Sequence, residues 1–319
     1  PCGSRSEIPG ASRRVGSSAP CSKPFGRPFP ITSMARSSPS DFEVSEPGAS
    51  SRSNEPDLAP DFRARRRPDG WGRPLRAYRS LASTNDAARN WARSGAPEGA
   101  LVYAEAQTAG RGRQGRSWKA RSGRNLLFSL ILRPPVDKKR YGLIPVAAAL
   151  GIVDGCRENA EGSEVAIKWP NDVLLDGKKC CGTLLEAAGD ALVLGIGLNV
   201  NQTEFPEELR GRASSLRLRT GRTYDRADLL AHLLERIQHR AETLFRGEIE
   251  PIRRAYEAEM WSFGESIRLR RARSEAWVEG IVRGIDETGG LRLETPDGVR
   301  VLRAGEVTRT SVRPGRTTS

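Results

Sequence analysis

Three arginines, Arg111, Arg113 and Arg116, fall inside the run Gly110-Arg111-Gly112-Arg113-Gln114-Gly115-Arg116-Ser117-Trp118, where glycine keeps the backbone open on every side. Guanidinium groups give forked, charge-assisted hydrogen bonds, and glycines let backbone N–H groups approach a ligand closely. Such a loop suits a polyanion, either the phosphates of a nucleotide or an RNA. Arginine-glycine segments that coat RNA recur in low-complexity arrays, whereas this run occurs once, between two predicted strands. That placement predicts an ordered site.

A second candidate cation lies in Lys168-Trp169-Pro170-Asn171-Asp172, where a predicted strand ends. Lysine there offers a compact charge to a phosphate oxygen or to negative charge developing in a reaction, and Pro170 fixes the turn that aims it. Two further stretches bring glycine into strands: Lys179-Cys180-Cys181-Gly182-Thr183-Leu184-Leu185-Glu186 and Gly195-Ile196-Gly197-Leu198-Asn199-Val200-Asn201. Glycine in a strand marks a bulge or a close approach, so each is weak evidence on its own. Nucleophile chemistry finds no support, because no Ser-His-Asp or Cys-His constellation is recognisable. His232 and His239 sit seven apart on one amphipathic stretch and read as surface or packing residues. The five cysteines, Cys2, Cys21, Cys156, Cys180 and Cys181, are odd in number and lack C-x-x-C spacing, which predicts neither a disulfide framework nor a zinc site.

The elements that must hold these groups follow from periodicity and punctuation. Ser83-Thr84-Asn85-Asp86 is a run of helix-capping residues, with Ala87, Ala88, Trp91 and Ala92 at helical spacing until Gly95 and Pro97. Residues 100–106 and 126–132 read as strands flanking the loop, and 142–158 as a helix rich in small residues. Four strands follow at 165–168, 172–175, 183–187 and 191–197, with hairpin turns at Asp176-Gly177 and Gly189-Asp190. The order predicts an α+β fold: a mixed, largely antiparallel sheet covered by helices. A long amphipathic helix is expected over 225–246 and another from Pro251 to Trp261. Beyond Phe263 the period is two, with short strands at 266–270, 276–285, 291–294 and 299–302, a pattern for a small β-barrel.

Residues 1–68 are rich in Ser, Pro, Gly and Arg, and their isolated apolar residues keep neither period. They are read as disordered, since too little apolar area is available to offset the entropy of ordering the backbone. The first methionine is Met34, which leaves open that part of this segment is not translated. The formal net charge of +13 is spread along the chain and is compatible with a nucleic-acid partner without requiring one. No apolar run approaches the ~18 residues of a membrane span, and no signal-peptide pattern opens the chain, so a soluble cytoplasmic protein is expected.

In this order, Ser83-Thr84-Asn85, Gln107, the loop 110–118, Lys168 to Asp172, Gly182 to Glu186 and Gly195 to Asn199 resemble the biotin-protein ligases. The likeness covers roughly residues 75 to 312 and implies a class II synthetase-like catalytic domain (69–262), an SH3-like C-terminal barrel (263–313) and a short tail (314–319). It implies ATP-dependent formation of biotinyl-5′-AMP with Mg²⁺, then transfer of biotin to a lysine of the apo biotin carboxyl carrier domain of acetyl-CoA carboxylase or a related carboxylase. Carried over by position, Ser83, Thr84, Asn85 and Gln107 line the biotin pocket, and Gly182 and Leu184 border its apolar part. Arg111, Gly112 and Arg113 form the loop that orders over biotin and its adenylate. Lys168 sits between the carboxylate and the α-phosphate, which makes Lys168 and Arg113 the expected catalytic pair. Arg111, Arg113, Arg116, Trp118, Lys168, Asn171 and Asn199 belong to the nucleotide side, and no metal ligand is assigned. Because residues 1–68 lack a helical pair, a monofunctional ligase without DNA binding is expected; the family also admits a homodimer. Two other readings stay open: a lipoate-protein ligase, which shares the catalytic fold, and an RNA-binding protein with a small barrel.

Overall fold

The computed structural model describes residues 56–270 and 277–310. The expectations for residues 1–55, for the strand residue Ala276 and for 311–319 lie outside the described residues. Seven strands make the larger sheet: β1 (Leu75–Leu81), β2 (Leu101–Gln107), β3 (Leu126–Leu132), β4 (Val165–Lys168), β5 (Asp172–Leu175), β6 (Lys178–Ala188) and β7 (Ala191–Leu198). Their order is β1-β2-β3-β7-β6-β5-β4, with β1 and β2 parallel and every other pair antiparallel. The β5–β6 turn carries Asp176 and Gly177 at φ 44° and 75°, the left-handed pair that an Asp-Gly hairpin supplies.

Alternation along the strands sorts the two faces. Leu126, Phe128, Leu130 and Leu132 of β3 enter one core with the helices α3 (Leu143–Asn159) and α5 (Arg226–Phe245), while Ile131 joins Val102 and Val193 under the helix α2 (Thr84–Arg93). The α3–α5 contact is close because Gly151 presents no side chain. A Cβ there would lie 2.5 Å from the Ile237 Cα. Asp225 caps α5 by accepting from the N–H groups of Ala227 and Asp228 at 2.8 and 3.2 Å. A short helix α4 (Leu216–Thr220) precedes α5, and α6 (Ile249–Glu259), with Pro251 in its first turn, follows it.

One expectation needs correction. The described end of the 1–68 segment is ordered: α1 (Leu58–Arg65) buries Leu58, Ala59 and Phe62 and packs on α5, with Arg65 paired to Asp225 at 2.7 Å. Three buried apolar residues in an eight-residue helix are too few to establish a period, so only the tertiary partner reveals it. β1 also escapes sequence reading, because it is an edge strand whose residues are half-buried or exposed.

The C-terminal sheet has the order β11-β10-β9-β8-β12, antiparallel throughout, with β8 (Ser266–Arg270), β9 (Trp277–Ile285), β10 (Leu291–Thr295), β11 (Gly298–Leu302) and β12 (Glu306–Arg309). β12 was not anticipated. The two sheets are tied at the β4 edge, where Met260 pairs in parallel with Ile167 and the Trp261 N–H donates to the Ile167 carbonyl at 2.8 Å. Trp169 Nε1 also donates to the Gly289 carbonyl at 3.1 Å. Among the described residues no helix is long and apolar enough to cross a membrane.

Candidate active site

One cleft of about 830 Å³ opens on the α2 side of the sheet, and every residue singled out from sequence lines it: Ser83, Thr84, Asn85, Gln107, Arg111, Gly112, Arg113, Arg116, Trp118, Lys168, Asn171, Gly182, Leu184 and Asn199. Its polar end is built where α2 begins. Ser83, in extended conformation, opens the helix, and its carbonyl accepts from the Ala87 N–H at 3.1 Å. Gln107 Oε1 accepts from both the backbone N–H and the hydroxyl of Thr84, at 2.7 and 3.1 Å. Ser129 of β3 lies 2.8 Å from Thr84 Oγ1 and donates to Asn85 Oδ1 at 2.6 Å. Gly195 lets this happen, since a Cβ there would sit 2.0 Å from Asn85 Oδ1.

The glycine-arginine loop is a small hairpin. Arg111 bridges Ser117, the Trp118 N–H donates to the Gly110 carbonyl at 2.8 Å, and the Gly112 N–H donates to the Arg116 carbonyl at 2.7 Å. Its tip turns through Gln114 and Gly115 at φ 58° and 74°. Trp118 lies on β6 and β7 where these strands carry glycine: a Cβ on Gly197 would meet its ring at 2.5 Å, and one on Gly182 at 3.1 Å.

Five cations that line the cleft fall into two groups. Arg111 pairs with Asp86 at 2.8 Å and Glu186 at 2.6 Å, Arg116 with Glu306, and Lys179 with Asp172 at 2.7 Å. Arg113 instead donates to the neutral Asn171 Oδ1 at 3.2 Å, and Lys168 lies over the Trp261 ring at 5.5 Å; neither forms an ion pair among the described residues. Burial pushes the Lys168 ammonium below its ordinary value, and Asp172 opposes that shift. Burial also lowers the Arg113 guanidinium, again against Asp172. Two half-buried charges without carboxylate partners, facing one cleft, form a site for an anion.

The two asparagines differ. Asn171 connects Arg113 to β6, its Nδ2 donating to the Thr183 carbonyl at 2.5 Å. Asn199 is buried, with Nδ2 donating to the Ser214 carbonyl at 3.0 Å and Oδ1 left without a partner. Four lining or supporting residues carried no sequence signal: Ser129, Trp261, Arg212 and Glu306, which β12 delivers from the other sheet. Among the described residues no group of three or more His, Cys, Asp or Glu side chains is arranged to hold a metal. The carboxylates of the cleft, Asp172, Glu208 and Glu306, each already face a lysine or arginine.

Comparison with known proteins agrees with this geometry. A profile described as "Biotin/lipoate A/B protein ligase family" matches residues 77–202, and one described as "Biotin protein ligase C terminal domain" matches 262–308. The chain is 35% identical over 243 residues to the bifunctional ligase/repressor BirA of Bacillus subtilis, covering 74% of each chain. It is 35% identical over 242 residues to a biotin--[acetyl-CoA-carboxylase] ligase of Mycobacterium tuberculosis, covering 75% of this chain and 89% of the relative. A solved biotin protein ligase from Aquifex aeolicus in complex with biotin and ATP is 31% identical, with a TM-score of 0.67 over 75% of this chain and 100% of that one. With the cleft, the loop and both sheets thus accounted for, the chain belongs to the biotin protein ligase family.

Proposed function

We propose that the cleft activates biotin with ATP and then passes the biotinyl group to a lysine of a biotin carboxyl carrier domain in acetyl-CoA carboxylase or a related carboxylase. In the first step a biotin carboxylate oxygen bonds to the α-phosphorus while the bond to the β-phosphate oxygen breaks and pyrophosphate leaves. In the second, the carrier lysine amine attacks the acyl carbon, an amide forms, the amine proton is released and AMP departs. Two anions must meet in the first step, so catalysis rests on cations placed where charge is in transit.

The observation that carries this reading is the pairing state of the cations: Lys168 and Arg113 line the same cleft as Thr84, Asn85, Gln107 and Trp118, and neither has a carboxylate partner among the described residues. Ser83, Thr84, Asn85 and Gln107 then take the ureido ring, and Gly182 and Leu184 the apolar part of biotin. Arg116, Trp118, Asn171 and Asn199 lie on the nucleotide side, while Arg111 and Gly112 hold the loop as a lid. The adenylate is a mixed anhydride, and a lid with glycine in it keeps water away. Magnesium keeps several waters and binds through one or two carboxylates plus substrate phosphates, so the nucleotide supplies most of its ligands here. We place the enzyme in the cytoplasm.

An ATP–pyrophosphate exchange assay run with biotin, with lipoate and with neither tests the reading. Exchange with biotin alone is expected; exchange with neither acid overturns it. We also propose that the chain acts as a ligase alone. What supports this is that α1, the described helix ahead of β1, is committed to packing on α5 of the catalytic body. A sequence-specific, adenylate-dependent footprint on DNA would contradict this.

A further inference from the structure

We propose that Glu186 is a positioning residue that couples the biotin pocket to the lid. The proposal rests on the functional reading above for what pocket and lid bind, and on the geometry alone for the coupling. Glu186 lies on β6, on the same face as Gly182 and Leu184, and is paired in register with Val193 of β7. One of its oxygens, Oε2, accepts from Asn85 Nδ2 at 2.7 Å and from Arg111 Nη2 at 2.6 Å. Asn85 belongs to the pocket and Arg111 to the lid, and they meet at a single atom.

A carboxylate can only accept, so it turns the NH₂ of Asn85 toward itself and the carbonyl oxygen toward Ser129, whose hydroxyl donates to it at 2.6 Å. The reversed amide would set oxygen against oxygen. Glu186, at 2.7 Å, and the Leu184 carbonyl, which accepts from the same Nδ2 at 3.4 Å, thereby fix which way Asn85 presents its amide, and the Glu186 oxygen also anchors the first arginine of the lid. Asp86 and Arg89 of α2 complete an alternating ring of charge: Asp86–Arg111 at 2.8 Å, Arg111–Glu186 at 2.6 Å, Glu186–Arg89 at 3.7 Å and Arg89–Asp86 at 3.8 Å. The ring is neutral overall, so Arg111 brings no surplus charge to the cleft and serves as the root of the lid. Two donors sharing one acceptor affect each other's hydrogen bond, so a ligand that engages Asn85 alters the hold on Arg111.

Trypsin reads the lid directly, because Arg113 and Arg116 are cleavage sites on it. Without any ligand, Glu186→Ala should raise cleavage there roughly tenfold or more, the scale of losing a hydrogen bond to a charged group, while melting stays two-state. Glu186→Gln, which can still offer a carbonyl oxygen to both donors, should fall between wild type and Glu186→Ala. In exchange assays the same order should appear in the KM for biotin, with the KM for ATP less affected. Arg111→Ala and Glu186→Ala together should cleave no faster than Arg111→Ala alone. Ligand-free cleavage of Glu186→Ala at the wild-type rate, or simple additivity of the two substitutions, overturns the coupling. Absence of biotin-dependent exchange in wild type overturns the functional reading instead, and the ligand-free trypsin comparison still decides the anchoring role.

Discussion

Arg116 and Glu306 meet across the boundary of the two sheets, the guanidinium of the lid donating to both oxygens of a carboxylate on β12. The pair gives the C-terminal sheet a hold on the loop that lines the cleft. Arg116 also keeps the Glu306 carboxyl below the usual carboxylate range. The ion pair is therefore complete at neutral pH and is lost only as pH falls through that depressed value.

Both partners are substantially exposed, at 59% and 40% of their side chains. Exposed ion pairs contribute at most about 1 kcal/mol, so Glu306→Gln should speed the escape of biotinyl-adenylate by no more than about fivefold. The difference from wild type should shrink as salt rises. Adenylate release followed across a sodium chloride series checks both statements.

Lys168→Ala should slow adenylation by roughly 10²-fold or more, the scale of one lost oxyanion-type donor. Burial lowers the Lys168 ammonium below its ordinary 10.5, so its charge is present at low pH and disappears as pH rises through the lowered value. The exchange rate should accordingly show an alkaline limb below the ordinary lysine range. In Lys168→Arg, whose guanidinium does not deprotonate there, that limb should vanish even if the rate is lower. An unchanged rate in Lys168→Ala would remove the residue from the mechanism.

Arg113→Gly removes the loop cation that donates to Asn171. Some adenylate synthesis should survive, but the intermediate should leave before transfer, so labelling of lysines on bystander proteins should increase. Mass-spectrometric counting of biotinylated lysines in a protein mixture measures this. Retention equal to wild type would contradict a closing role for the loop.

Phe62→Ala should destabilise the fold by about 3–5 kcal/mol, as deletion of a buried aromatic side chain does. Phe62 is fully buried and lies so close to Gly72 that a Cβ on that glycine would meet its ring at 2.8 Å. Denaturant titration should show the loss, with the KM values for biotin and ATP unchanged. A variant as stable as wild type would mean that α1 is dispensable.

The loop and the Lys168 turn could be read from sequence because charge and glycine are unusual inside a strand-rich region. Which arginine is available could not be read. The partners that occupy Arg111 stand at positions 86 and 186, and the partner of Arg116 at 306, distances that local spacing does not encode. Ser129 looked like one polar residue in an apolar strand, and only the register of β3 against β7, opposite Gly195, turns it toward Asn85. The strands with strong alternation and hairpin glycines are legible with nearly correct bounds, except β6, which starts at Lys178 instead of the expected 183 because Cys180 and Cys181 are buried and Cys181 pairs across to both β5 and β7. α1, β1 and β12 are not, because they are short or lie at an edge and take their form from what they pack against.

The β4 edge has a consequence for how the protein is made. Its exposed peptide groups are covered by Met260 and Trp261, residues that come after the whole larger sheet in the chain. During synthesis, every strand of that sheet leaves the ribosome before the segment that seals it. Until Trp261 arrives, the nascent sheet offers a bare strand to any neighbour. A gene cut just before this point would leave the product in that condition permanently, and its cleft would also lack Trp261 and Glu306.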